Sequence, residues 1–245
     1  MKFHAKHLLA CALVFSQMAS AWGAMVIEGT RVVVRGADRE TVVRMNNQGT
    51  TPLVVQSWID NGEAERNKSP DQIQVPFVLT PPISRVDPSK GQTVRIYPAA
   101  GTLPQDRESV FWFNVLEIPP KTKNTEENLV QFTIRSRLKL FYRPQALGRD
   151  VPREAIAQVK WSLATDKDGR QVLRAHNPTP YYFTFGQGEA TVAGQPIKLS
   201  GEMVAPSGTA DLRPDNGADL TAGKNFKLNY INDFGAAVDF VVQLP

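Results

Sequence analysis

Leu129-Val130-Gln131-Phe132-Thr133-Ile134 runs through Arg135-Ser136-Arg137 into Leu138-Lys139-Leu140-Phe141. Val130, Phe132 and Ile134 alternate with Gln131 and Thr133, so an extended chain presents three large apolar side chains on one face. The same period-2 or β-branched character returns at 31–35, 41–45, 52–59, 92–97, 110–116, 159–163, 181–186, 226–231 and 238–244, with breaks at Gly, Pro, Asn and Asp. No segment of about 12 residues or more carries the 3.6-residue period of an amphipathic helix. The pattern predicts an all-β protein built from sandwiches. At 144–152 Pro, Gly and charged residues follow the long strand, and a second set of strands begins at Val159. The chain is therefore read as two β-sandwich domains, 24–146 and 151–245.

The first 23 residues read differently. Lys2 and Lys6 precede an apolar run from Leu8 to Phe15, and small residues follow at Ala19, Ala21 and Gly23. This is the order of a secretory signal peptide over 1–23, with cleavage after Ala21 or Gly23. The apolar run falls well short of the roughly 20 residues that cross a bilayer, so no membrane insertion of the mature chain is expected. Removal of the leader takes two lysines and no acid, which lowers the net charge from +4 to +2. A balance that even gives no bulk field towards nucleic acid. Cys11, the single cysteine, lies in the leader, so a chain bound for an oxidising compartment carries no disulfide and relies on its cores.

Catalytic signatures are absent from the sequence. Outside the leader His176 is the single histidine, which with no cysteine excludes the usual zinc constellations. It precedes Asn177-Pro178, and a turn or surface role is its simpler reading. There is no Gly-x-Ser-x-Gly elbow and no phosphate-binding loop. Gly186 and Gly188 lack the third glycine of a dinucleotide fingerprint, Asn67-Lys68-Ser69 is a glycosylation sequon of a kind common by chance, and no carboxylate spacing marks a glycosidase pair. Neither enzyme activity nor a cofactor is expected.

Longer motifs are more informative. The chain holds Leu103-Pro104-Gln105-Asp106-Arg107-Glu108-Ser109, then Phe111-Trp112-Phe113-Asn114-Val115-Leu116-Glu117-Ile118-Pro119-Pro120, then Leu138-Lys139-Leu140-Phe141-Tyr142-Arg143-Pro144. Thr80-Pro81-Pro82, Asn177-Pro178-Thr179-Pro180-Tyr181-Tyr182 and Tyr230-Ile231-Asn232-Asp233-Phe234-Gly235 complete the set. In this order and spacing the motifs resemble those of the PapD-type periplasmic pilus-assembly chaperones. The resemblance implies two immunoglobulin-like β-sandwich domains in a boomerang arrangement with a subunit-binding cleft between them. The short segment between Pro120 and Leu129, with no cysteine pair, resembles the short-loop branch of the family.

What the resemblance implies can be carried over residue by residue. Val130, Phe132 and Ile134 become the donor row lent to a pilus subunit (pilin) that lacks a strand. From alternation alone, ordinary sandwich core would be their simpler reading. Arg31 and Lys139 match the two cations that grip the pilin's C-terminal carboxylate, a task suited to a guanidinium fork and an ammonium. Lys139 lies an odd number of residues from Ile134, so a bulge or sharp twist near 135–138, or a lysine reaching around the edge, is expected. Glu108, Arg143 and Asp233 match an ion-pair cluster joining the domains, read as surface pairs that set the domain angle. Thr80, Pro81, Pro82, Ile118, Pro119 and Pro120 resemble a rigid patch facing an outer-membrane usher, with a cis bond at Thr80-Pro81 or Pro81-Pro82.

The expected function is that of a periplasmic chaperone that binds pilins, caps them and delivers them to the usher. An exposed apolar row also makes a self-capping dimer an expected form of the free protein. The rivals are a secreted hydrolase or sugar-binding module using Trp58, Trp112 or Trp161, and a pilin or adhesin. The tryptophans sit in apolar strand runs where core packing is the simpler reading, and the chain has no extra donor segment or cysteine pair.

Overall fold

The computed structural model describes residues 24–99, 103–121, 132–192, 194–215, 217–220, 223 and 225–244. The leader with its cleavage site, and Val130 of the donor row, lie outside the described residues.

The first domain contains β1 (Met25–Ile27), β2 (Arg31–Arg35), β3 (Thr41–Asn47), β4 (Leu53–Asp60), β5 (Phe77–Thr80), β6 (Ile83–Val86), β7 (Gly91–Pro98), β8 (Ser109–Ile118) and β9 (Ile134–Arg143). They pair as a four-stranded sheet, β1-β3-β7-β5, facing a five-stranded one, β2-β9-β8-β4-β6. Alternation decides which side chains meet between them. Val32 and Val34, Val43 and Met45, Val55 and Ile59, Val94 and Ile96, and Phe113 and Val115 all point inward and are buried. Phe77 packs edge-on against Phe111 with ring centroids 4.9 Å apart.

The second domain contains β10 (Lys160–Thr165), β11 (Gln171–His176), β12 (Phe183–Thr184), β13 (Gly188–Val192), β14 (Gln195–Ser200), β15 (Met203–Val204), β16 (Thr209–Pro214), β17 (Asn225–Ile231) and β18 (Ala237–Gln243). Its strands run β10-β11-β16-β14-β13-β17-β18, with β12-β15 as a separate pair. Leu173, Phe183, Phe185, Leu199, Leu212, Leu220 and Phe226 form a second core, distinct from the first.

Between the two cores the chain passes through short 3-10 turns at Gln145–Leu147 and Arg153–Gln158. This connection is tied to the first domain: Arg35 Nε donates to the Arg149 carbonyl at 2.7 Å, and Arg35 and Arg149 pair with Asp150 and Asp38 at 3.2 and 3.0 Å. The turn between β17 and β18 also leans on the first domain. A methyl group added at Gly235, where φ is +83°, would stand 2.3 Å from Thr30 Oγ1, so only a glycine fits.

Strand β9 decides the geometry of the site. Its antiparallel ladder with β8 runs unbroken from Glu117↔Ile134 to Ser109↔Tyr142. The expected bulge between Arg135 and Leu138 is therefore not there. With regular pleating Ile134, Leu138, Leu140 and Tyr142 point one way, while Arg135, Arg137, Lys139, Phe141 and Arg143 point the other. On the opposite side β2 runs parallel to β9 from Arg31↔Lys139 to Arg35↔Arg143. Among the described residues, Ile134 to Leu138 have no partner strand on that side.

Candidate functional site

Arg31 and Lys139 are register partners at the start of β2 and the middle of β9. Both reach into the second domain: Arg31 donates to the Ile231 carbonyl at 2.8 Å, and the Lys139 ammonium donates to Thr184 Oγ1 at 3.3 Å. The Arg31 guanidinium lies 5.5 Å from the Phe141 ring centroid, and its buried Nε has no partner among the described residues. Neither cation forms an ion pair among the described residues. Burial, and then the charge of Arg31, pulls the Lys139 ammonium down to about 8. Burial also lowers Arg31, against the opposing pull of Asp233 and Glu108. Two neighbouring cations with no ion pair of their own among the described residues leave donors available for an external anion. The cleft between the domains encloses about 630 Å³ and is lined by Arg31, Glu108, Phe141, Tyr182, Tyr230 and Asp233 among others.

Glu108, Arg143 and Asp233 are brought together, but not as surface pairs. Arg143 is 1% exposed and Glu108 3%. Arg143 Nε donates to Glu108 at 2.8 Å, while its two terminal nitrogens grip Asp233 at 2.7 and 2.9 Å and the Arg149 carbonyl at 2.7 Å. The second Glu108 oxygen accepts from the Tyr182 amide at 2.7 Å. Burial opposes the Arg143 charge, and the bonds to Asp233 and Glu108 outweigh it, so the guanidinium is held more firmly protonated than usual. Burial raises the Glu108 carboxyl, only partly opposed by Arg143. The expectation of exposed pairs is corrected: sequence separation alone could not reveal that both domains cover the trio.

Phe132 is 76% exposed and Ile134 45%, although both belong to the row that should fill a sandwich core. That row begins beyond the Arg31 end of β2, at the start of β9. The opposite face of β9 is capped by stacking instead. Arg135 lies 4.8 Å from the Trp58 centroid and Arg137 4.3 Å from that of Trp112. These two tryptophans are thus half-buried under cations, not core residues as expected, whereas Trp161 packs edge-on against Phe185 at 5.0 Å in the second core.

The proline segments flank β4 from opposite sides. Thr80-Pro81 is cis, and the Pro82 carbonyl accepts from the Ser57 amide at 2.8 Å on the β6 side. Ile118, followed by half-buried Pro119 and exposed Pro120, pairs with Val54 on the β8 side. Val54 in turn pairs with Arg85, and Ile83 lies opposite Gln56. Val54 and Ile83 are 40% and 57% exposed and extend an apolar strip on the outer face that sequence reading missed. Its signal was the odd parity of Val54 against buried Leu53 and Val55.

His176 is exposed at the end of β11, and among the described residues no cluster of His, Cys, Asp or Glu could hold a metal ion. Among them no helix is long and apolar enough to cross a membrane. Residues 24–148 match the model of the pili and flagellar-assembly chaperone PapD N-terminal domain, and residues 154–241 that of the pili assembly chaperone PapD C-terminal domain. The chain belongs to the PapD family of pilus-assembly chaperones. This chaperone is 41% identical over 247 residues to the probable fimbrial chaperone YadV of Escherichia coli K12, covering 98% of each chain. The solved YadV chaperone superimposes with a TM-score of 0.75 over 91% of the present chain and 100% of that one. Chaperone protein FimB/FhaD of Bordetella pertussis is 44% identical over 237 residues, covering 95% and 93%. A solved structure of the Salmonella enterica SafA pilin with the SafB chaperone matches at 25% identity and a TM-score of 0.73, covering 92% of this chaperone and 99% of the matched chain.

Proposed function

We propose that this chaperone acts in the periplasm by taking the C-terminal strand of a pilin onto the open side of β9, with Arg31 and Lys139 holding the pilin's terminal carboxylate. The observation that carries the reading is the place where β2 stops. A strand laid beside Ile134 to Leu138 would occupy the line of β2 just upstream of Arg31. For its carboxylate to meet Arg31 and Lys139 it must end there, so it runs parallel to β9 as β2 does. The incoming backbone then meets unpaired groups of β9, and the exposed Phe132 and Ile134, with Val130 before them, fill the groove of the incomplete pilin. Each large apolar side chain so buried contributes about 1.5–3 kcal/mol before ordering costs.

The SafA pilin bound to the SafB chaperone supports a pilin as partner. The strip of Val54, Ile83 and Ile118 with Thr80, Pro81, Pro82, Pro119 and Pro120 lies on the outer face and stays available for an usher while β9 is occupied. The buried Glu108, Arg143 and Asp233 trio fixes the angle between the domains. Without a pilin, the same exposed row is capped by a second copy of the chaperone. No step in this cycle needs catalysis or a cofactor. Co-expression with the pilin encoded beside it, followed by intact-mass analysis, tests the reading: a 1:1 complex lost on Lys139→Ala is expected, and a pilin that folds and accumulates uncomplexed beside the wild-type chaperone would overturn it.

A further inference from the structure

Four residues stand in one row across four strands. Asp60 on β4 pairs with Trp112 on β8, Trp112 with Lys139 on β9, and Lys139 with Arg31 on β2. A buried carboxylate thus lies two strands from the ammonium, at a spacing of roughly 10 Å between backbones. A lysine so placed would ordinarily lean towards that acid. Here the acid is fully engaged. One Asp60 oxygen accepts from the Gly62 amide at 2.8 Å and Arg137 at 2.7 Å, the other from Asn114 at 2.9 Å and Arg135 at 3.3 Å. Arg137 is itself pinned by Glu63 at 2.7 Å and sits over the Trp112 ring, 4.3 Å from its centroid. The Lys139 ammonium is 6.0 Å from the centroid of the same ring and, among the described residues, bonds only to Thr184 across the cleft.

We infer that Trp112 is a positioning residue for Lys139: its indole, held by Arg137, keeps the lysine stem off the Asp60 cluster, whose carboxylate the two arginines already occupy, and directs the ammonium to the cleft. The consequence is specificity for a terminal carboxylate. An ammonium already paired to Asp60 would exchange one carboxylate for another with little gain, whereas an unpaired one gains a full charge-assisted bond. This rests on the reading of Lys139 as the carboxylate anchor.

The test uses the full chaperone and a synthetic peptide with the C-terminal strand of the neighbouring pilin, made as free acid and as C-terminal amide. The wild type is expected to prefer the acid. Trp112→Leu keeps apolar bulk but removes the flat ring, and is expected to lower the acid-to-amide preference about tenfold with amide affinity little changed. Trp112→Phe, which retains a ring, is expected to keep most of the preference. An unchanged preference in a folded Trp112→Leu protein would overturn the inference. Should that variant not fold, Arg137→Gln loosens the same ring and frees an Asp60 oxygen, and an unchanged preference there is equally adverse. Lys139→Ala separates the two readings: if it leaves the preference intact, the anchor assignment fails and the role of Trp112 with it. If it removes most of the preference while Trp112→Leu does not, only the positioning role fails.

Discussion

Arg31 and Lys139 face each other on adjacent parallel strands, both directed into the gap between the domains and both without an ion-pair partner among the described residues. Burial, and then the Arg31 charge beside it, penalises the Lys139 ammonium, and burial lowers Arg31 against the pull of Asp233 and Glu108. A carboxylate placed between them relieves both penalties at once.

The Lys139 value of about 8 sets a pH dependence for capture. In the free chaperone the ammonium is charged below that value and loses its proton above it. A bound carboxylate raises the pKa, so affinity is full below about pH 7, where the lysine is already protonated, and falls as pH rises through 8. Titration calorimetry of a pilin peptide across this window should also show proton uptake near pH 8. Affinity that rises with pH would contradict the assignment.

Phe132 and Ile134 are exposed, so polar replacement should spare the fold and damage binding. Phe132→Glu is expected to change the stability by no more than the ordinary surface range, about 0.5 kcal/mol, while capture is lost. A melting curve and a pull-down on one preparation check both halves.

Removing Arg143 should act on the fold itself. Arg143→Ala strands the buried Glu108 carboxyl and the Asp233 carboxylate, and breaking a buried pair in this way costs about 3–5 kcal/mol. Asp233 is the more accessible partner, with 16% of its side chain exposed, so Asp233→Asn should cost less and act mainly by loosening the domain angle. Denaturant unfolding ranks the two, and solution scattering reads the angle.

The strip at Val54, Ile83 and Ile118 predicts a separation of functions. Ile83→Asp should leave pilin capture intact and weaken binding to the purified usher. Loss of both together would point to misfolding, and loss of neither would remove the strip from the account.

The all-β, two-domain fold was legible because alternation survives wherever one face is buried: 31–35 coincides with β2, and 226–231 lies within β17. Strands β1, β5, β6, β11, β13, β14, β15 and β16 were missed because they are short or interrupted by polar, Gly and Pro residues, and are strands only through their partners. Parity placed Lys139 and Ile134 on opposite faces, and the structure keeps that arrangement with a regular ladder, so of the expected alternatives of a bulge, a sharp twist or a lysine reaching around the edge, the bulge is ruled out. The proposed site needs no common face, since in that reading the apolar row and the cation serve different parts of a strand laid alongside. Burial of the Glu108, Arg143 and Asp233 trio, and the saturated Asp60 behind Trp112, depend on which strands become neighbours. No local pattern encodes that.

The most direct measurement of the central claim compares the free-acid and amide forms of the pilin C-terminal peptide on wild-type chaperone and on Lys139→Ala. Because a charge-assisted hydrogen bond contributes about 1.5–3 kcal/mol, wild type should bind the acid about tenfold or more tightly than the amide, and the variant should keep only the smaller share of that preference that Arg31 supplies. Equal binding of acid and amide by the wild type would contradict strand addition anchored at Arg31 and Lys139.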